Sequence, residues 1–307
     1  MAVHGQQRQV SSPVAGYVFD GAALRPIAGV PGGATLGGAL SLGLTASAAV
    51  ISPQLDSALV TASDRSLHLF RLSGQSVTEV AWNGVPRGAA LVVYSPSGTA
   101  AAIYATGRVQ VVSGLPNSPV PAFAAEVGLL PARPASQSAS AAPEAVAVSD
   151  DAAWLLVASE GHLRLLGASG SSSLLLDGVR EVGVAFASGG HAAAVLNGQG
   201  PWLDVFPDVS AAPAQRIAAL GLAEPAGLAY SPDGKFVVAA ARAGEPVTVF
   251  DLAAGAATTL NCNCAPTGVS RMGRFFRLTE AGAGPVWLVD ANTSPARIAF
   301  VPMRANP

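Results

Sequence analysis

Charge is what this chain has least of. Only 12% of its 307 residues are charged, about half the share of an average soluble protein, and Lys235 is the only lysine. Seventeen basic residues against 19 acidic ones leave a formal net charge of −2. That balance excludes gathering onto nucleic acid by long-range attraction. Cysteine is scarcer still: two residues, Cys262 and Cys264, cannot build a disulfide scaffold. Aromatics are few, and Trp82, Trp154, Trp202 and Trp287 stand within or beside strand-like segments rather than interleaved with arginine. A stacking groove for single-stranded nucleic acid is therefore not expected. No window long enough for a helix keeps an apolar period of about 3.6 residues, so helices are not expected either.

One uncharged run, from Ala34 to Ile51, has the length of a membrane span. It holds Gly37, Gly38 and Gly43 among serine, threonine and alanine, with few large side chains to gain from lipid. Two strands around a glycine turn describe it better, and no transmembrane span is expected. The polar start, Met1 to Arg8, lacks the apolar core of a signal peptide. The expected location is periplasmic or exported if such a segment has been removed, and otherwise cytoplasmic.

What the chain does have is apolar content and punctuation. Half of its residues are hydrophobic, and 34 glycines and 23 prolines divide them into short segments. The clearest unit opens at Pro225. Ala226 to Tyr230 is followed by Ser231-Pro232-Asp233-Gly234, then Phe236 to Ala240, a turn at Gly244, Val247 to Asp251, a turn at Gly255, and Thr258 to Leu260. Each apolar segment is short, rich in branched or aromatic residues, and bounded by glycine, aspartate or proline, the pattern of four strands joined by tight turns.

The phrase recurs about every 40 residues. Its turn anchors lie at Ser52, Ser95, Ser149, Ser188, Ser231 and Ser270, and its third-strand phrase at Phe70-Arg71, Val112-Ser113, Leu166-Gly167, Phe206-Pro207, Phe250-Asp251 and Val289-Asp290. A four-stranded unit of this size cannot bury both its faces, whereas radial stacking covers each sheet with the next. The expected fold is all-β, a single β-propeller of antiparallel four-stranded blades. Six units are complete. Residues 13 to 31 read as the third and fourth strands of another, so seven blades are expected, with six blades and an outlying hairpin as the alternative. Residues 1–12 are expected to form a flexible N-terminus ahead of a domain spanning 13–307. A proline-, alanine- and serine-rich insertion between blades is expected at about residues 128–143.

The Ser231-Pro232-Asp233-Gly234 turn, its following strand and Val247-Thr248-Val249-Phe250-Asp251 resemble repeats of bacterial WD40-like and YVTN-type propellers. The Trp-Asp ending of true WD40 repeats is replaced by Phe-Asp or Val-Asp. The resemblance implies a fold and no particular chemistry, because propellers serve as interaction platforms, envelope proteins and enzymes.

The connections entering the innermost strands carry Arg87, Glu144, Glu181 and Glu224. Radial stacking places them on one rim, where they form a candidate site for a cation, a basic peptide or an arginine-bearing partner. Their other reading is ordinary charge on solvated turns. Cys262 and Cys264 fall in the same kind of connection. They fit a bridge across one residue, half of a soft-metal site, or two small half-buried thiols. No catalytic residue is identified. His4, His68, His162 and His191 stand at unrelated phases of the repeat, no HExxH spacing occurs, and neither a metal nor a cofactor is expected. Asp150-Asp151 lies in a first-to-second strand turn, on the face away from the candidate rim, where it serves local backbone hydrogen bonds.

Together these features point to a non-enzymatic platform for a protein or peptide, with a bacterial envelope as one setting. A hydrolase or lyase with a metal-assisted pocket at the channel mouth is one alternative, and a purely structural envelope component is another. The channel mouth is also a candidate site for a small ligand or divalent cation; a bound cation there would favour the hydrolase or lyase over the platform.

Overall fold

The computed structural model of the protein describes residues 13–30, 32–127, 142–198, 200, 202–211, 213, 215–219, 221–244, 247–280 and 284–302. The expected N-terminal tail at 1–12 and all but the last two residues of the expected insertion at 128–143 lie outside these residues.

The described chain contains strands and turns and no helix. Blade 1 holds β1 (Val14–Phe19), β2 (Leu24–Ala28) and β3 (Thr35–Leu36). Blade 2 follows with β4 (Ala46–Ile51), β5 (Ser57–Ala62), β6 (Leu67–Ser73) and β7 (Ser76–Val80), and blade 3 with β8 (Leu91–Tyr94), β9 (Ala100–Ala105), β10 (Arg108–Ser113) and β11 (Val120–Glu126). Blade 4 comprises β12 (Ala145–Val148), β13 (Trp154–Ser159), β14 (His162–Gly167) and β15 (Ser172–Asp177). Blade 5 comprises β16 (Val182–Phe186), β17 (Ala193–Asn197), β18 (Trp202–Phe206) and β19 (Gln215–Ala218). Blade 6 is β20 (Leu222–Tyr230), β21 (Phe236–Gly244), β22 (Val247–Asp251) and β23 (Ala256–Leu260), and blade 7 is β24 (Pro266–Met272), β25 (Phe275–Glu280), β26 (Val286–Asp290) and β27 (Arg297–Val301). Every sheet is an antiparallel meander in chain order, and together they form a seven-bladed ring.

The recurring serine has a structural cause. Ser231 is fully buried; its amide donates to the Phe236 carbonyl at 2.9 Å, and its hydroxyl accepts from the Phe236 amide at 2.9 Å and donates to Asp233 at 2.7 Å. Gly234, at φ +71°, closes the turn, a conformation that favours glycine. Ser149 repeats these bonds with Trp154 and Asp151. The third-strand aspartate caps its own turn: Asp251 accepts from the Ala253 and Ala254 amides, and Asp20 does so from Ala22 and Ala23. Two anchors depart from the sequence reading. In blade 5, Ala187 takes the serine's place, its amide donating to Ala192, so Ser188 stands one residue beyond the anchor. In blade 7, Ser270 lies inside β24, opposite Arg277, and the chain reverses at Gly273.

The core is divided among the gaps between blades. Phe250, fully buried, packs with Leu203 and Ile217 of blade 5 as well as Val237 of its own sheet. Burial of a side chain of this size contributes about 1.5–3 kcal/mol, and Phe70, Phe186, Phe206 and Phe276 are equally enclosed.

Blade 1 differs from the expectation of two strands, because Thr35–Leu36 adds a third beyond β2. This sheet packs on blade 7 through Val18, Ile27 and Leu36 against Met272, Leu288 and Val301. On its other side, Tyr17 and Leu24 meet Ala58, Val60 and Phe70 of blade 2. At the inner rim, blade 7 also reaches blade 2 directly, the Gly273 amide donating to the Pro53 carbonyl at 2.9 Å.

Candidate functional site

The first strands of blades 2 to 7 surround a lumen cavity of about 440 Å³. Its walls are largely valine, alanine and leucine, because these strands are covered by a neighbouring sheet on each face. Glu144 and Thr279 line the end where the inner strands begin. Pro96, Phe186 and Arg271 line the end where they finish.

Arg271 is the one buried cation of the inner strands among the described residues, at 8% exposure. From β24 its Nη1 donates to Ser188 Oγ of blade 5 at 3.2 Å, and its Nη2 donates to the Pro96 carbonyl of blade 3. A side chain that starts on blade 7 and ends on blades 3 and 5 crosses the lumen. Burial lowers its pKa, opposed by the field of Asp150; the guanidinium stays charged at neutral pH. Sequence alone assigns this residue to a turn; the available signal is an arginine as the single charge of its inner strand.

Around Arg271 the same face is latched. Asp150 of blade 4 accepts from the Ser97 amide of blade 3 at 2.6 Å and from the Gly189 amide of blade 5 at 2.9 Å. Asp151 accepts from Ser149 Oγ, the Ala153 amide and His191. Partial burial works to raise the Asp151 carboxyl, but these hydrogen bonds outweigh it and hold its pKa at about 2. The backbone role expected for the acid pair is present, and Asp150 extends it between blades.

The opposite rim carries the residues singled out from sequence. Arg87 is exposed in the connection before β8. Glu144 and Glu181 stand exposed immediately before β12 and β16, and only Glu144 among the candidates lines the lumen. Glu224 was expected in a connection but lies inside β20, exposed, beside the register shift at Pro225 and with φ +51°. The strand starts earlier than its apolar residues indicate because Leu222 and Ala223 pair with Gly244 and Ala243. Cys262 and Cys264 are joined to each other in the loop between β23 and β24, with Cα atoms 5.1 Å apart. They pack half-buried against the cluster between blades 6 and 7. Trp202 opens β18 at this same end of blade 5 and is 44% exposed.

The described histidines each face an acid. His68 lies 2.7 Å from Glu79, His162 lies 2.9 Å from Asp177, and His191 lies 2.9 Å from Asp151. Among the described residues no three histidine, cysteine, aspartate or glutamate side chains gather in a metal-holding cluster.

Seven antiparallel blades around a lumen define the class: the protein is a seven-bladed β-propeller. No protein-family model matches the chain, and no curated protein matches it in sequence. Solved structures match it in fold. A chain of a mitotic checkpoint complex aligns with TM-score 0.57 and 15% identity, covering 84% of this chain and 77% of that one. The Kuenenia stuttgartiensis hydrazine synthase aligns with TM-score 0.55 and 17% identity, covering 80% and 77%. The dihydro-heme d1 dehydrogenase NirN aligns with TM-score 0.50 and 19% identity, covering 83% of this chain and 54% of its own. At these identities the likeness is one of fold, shared by a checkpoint assembly and two enzymes.

Proposed function

We propose that the protein is a non-enzymatic platform that binds a basic protein segment or peptide on the rim where its inner strands begin. The observation that supports this reading is Trp202, exposed at that rim, together with Glu144, Glu181 and Glu224, none of which has an ion-pair partner among the described residues. Carboxylates and an exposed indole on one rim suit an arginine-rich segment, which can pair with the former and lie over the latter. The ring supplies rigidity, so the rim is ordered before the partner arrives. An envelope setting accompanies the reading as an expectation from sequence.

Fluorescence anisotropy with a labelled Arg-Ala repeat peptide, and a Glu-Ala repeat as control, tests it. Three exposed pairs at about 0.5 kcal/mol each amount to about tenfold in Kd. The triple variant Glu144→Gln, Glu181→Gln, Glu224→Gln is therefore expected to weaken binding about tenfold, and Trp202→Ala to weaken it further. Equal affinity for the two peptides would overturn the proposal.

A further inference from the structure

We propose that the lumen is a binding site for an amphipathic carboxylate, with its acid group on Arg271 and its apolar body along the inner strands. The cavity of about 440 Å³ falls within the range of small-molecule sites, which combine apolar walls with a few placed polar groups. Arg271 is more than nine-tenths buried and lines this cavity, yet its Nε has no hydrogen-bond partner. Its bonds to Ser188 and Pro96 use one proton on each Nη. A second proton on each Nη remains, and the pair of Nη groups at the end of the guanidinium matches the two oxygens of a carboxylate.

A buried cation with an unused donor is costly unless an anion or water completes it. Asp150 acts on Arg271 through its field, while its two oxygens accept from the Ser97 and Gly189 amides. The rest of the lumen sets the ligand's character. Glu144 at the far end repels a second anion there, so a single acid group goes to the Arg271 end and a neutral tail lies toward Glu144. Fatty acids of medium chain length have this chemistry. The site is independent of the rim carboxylates proposed above for peptide binding, apart from Glu144, and its test uses no peptide.

The experiment is isothermal titration calorimetry of the full chain with decanoate and, separately, with decanol, which keeps the tail and lacks the acid. One decanoate per chain is expected, with decanol at least tenfold weaker. Arg271→Gln is expected to erase that discrimination. Because Arg271 also ties blades together, a second variant guards against misfolding: Gly268→Leu. Gly268 lines the lumen, and a Cβ there meets nothing nearer than 3.8 Å, so the leucine fills space in the lumen and is expected to abolish decanoate binding while the fold survives. Equal binding of acid and alcohol, no binding of decanoate, or decanoate binding unchanged in Gly268→Leu would each overturn the proposal.

Discussion

Arg271 donates to the carbonyl of Pro96, 175 residues earlier in the chain and in a blade across the ring. With Asp150 bridging blades 3, 4 and 5 beside it, one face of the propeller is fastened by polar groups of four blades. The other face presents exposed side chains. This asymmetry divides the molecule into a latched end and an open one.

Asp150 is the member of the latch whose loss is most readily measured. Replacing it with alanine leaves the Ser97 and Gly189 amides without their carboxylate acceptors. A half-buried charge-assisted bond contributes roughly 1 kcal/mol after water partly replaces it, so Asp150→Ala is expected to cost about 2 kcal/mol. Urea unfolding should show a lower midpoint at an unchanged m-value. An unchanged midpoint would mean that solvent serves both amides as well as the carboxylate does.

The contact between the first and last blades rests on the smallness of Gly16. A Cβ at that position would stand 2.2 Å from Met272 Sδ, and Met272 is buried at 3% exposure. Gly16→Val is expected to cost about 1–3 kcal/mol by overpacking, and Met272→Ala about 2–5 kcal/mol by leaving a void. The double variant should lose less than the sum, with a coupling above about 1 kcal/mol in a double-mutant cycle. Strict additivity would show that the two positions do not press on each other.

Strong acid should weaken the latched face. The Asp151 carboxyl is held at about 2, against 3.8 for the free group. A carboxyl with a depressed folded pKa contributes stability that is fully present above the free value and is lost as pH falls through the folded one. The window is therefore roughly pH 4 down to 2. Because the side chain is 53% exposed, screening limits the contribution to no more than about 1 kcal/mol. Asp151→Asn should flatten the stability profile between pH 4 and 2 while leaving its shape above pH 5 unchanged. A profile identical to the parent's would assign the acid sensitivity to other carboxylates.

The propeller was legible because its turns have local causes. Ser231 serves a turn that closes within five residues, and Asp251 caps amides two and three residues on, so both leave a mark in every unit that uses them. Glu144 and Glu181 stand next to the strands they precede, as the sequence indicates, whereas Glu224 lies inside β20 because Leu222 and Ala223 extend its pairing. Thr35–Leu36 was not, because two residues carry no periodicity. Ser188 reads as a turn anchor because Ala187 performs that role through its backbone and leaves no side-chain signal. Arg271 was least legible of all. Its partners lie 83 and 175 residues away, and strand alternation tells which face a side chain is on without telling what stands across a lumen.

Blade 1 gives the ring a keystone. The inner rim is already spanned where Gly273 of blade 7 meets Pro53 of blade 2, while the three strands of blade 1 fill the arc outside that link. Like a stone set into an arch from above, this sheet fixes the spread of its two neighbours by its thickness, without taking a place on the inner circumference. Among the described residues, six inner strands line the bore and seven sheets make the girth.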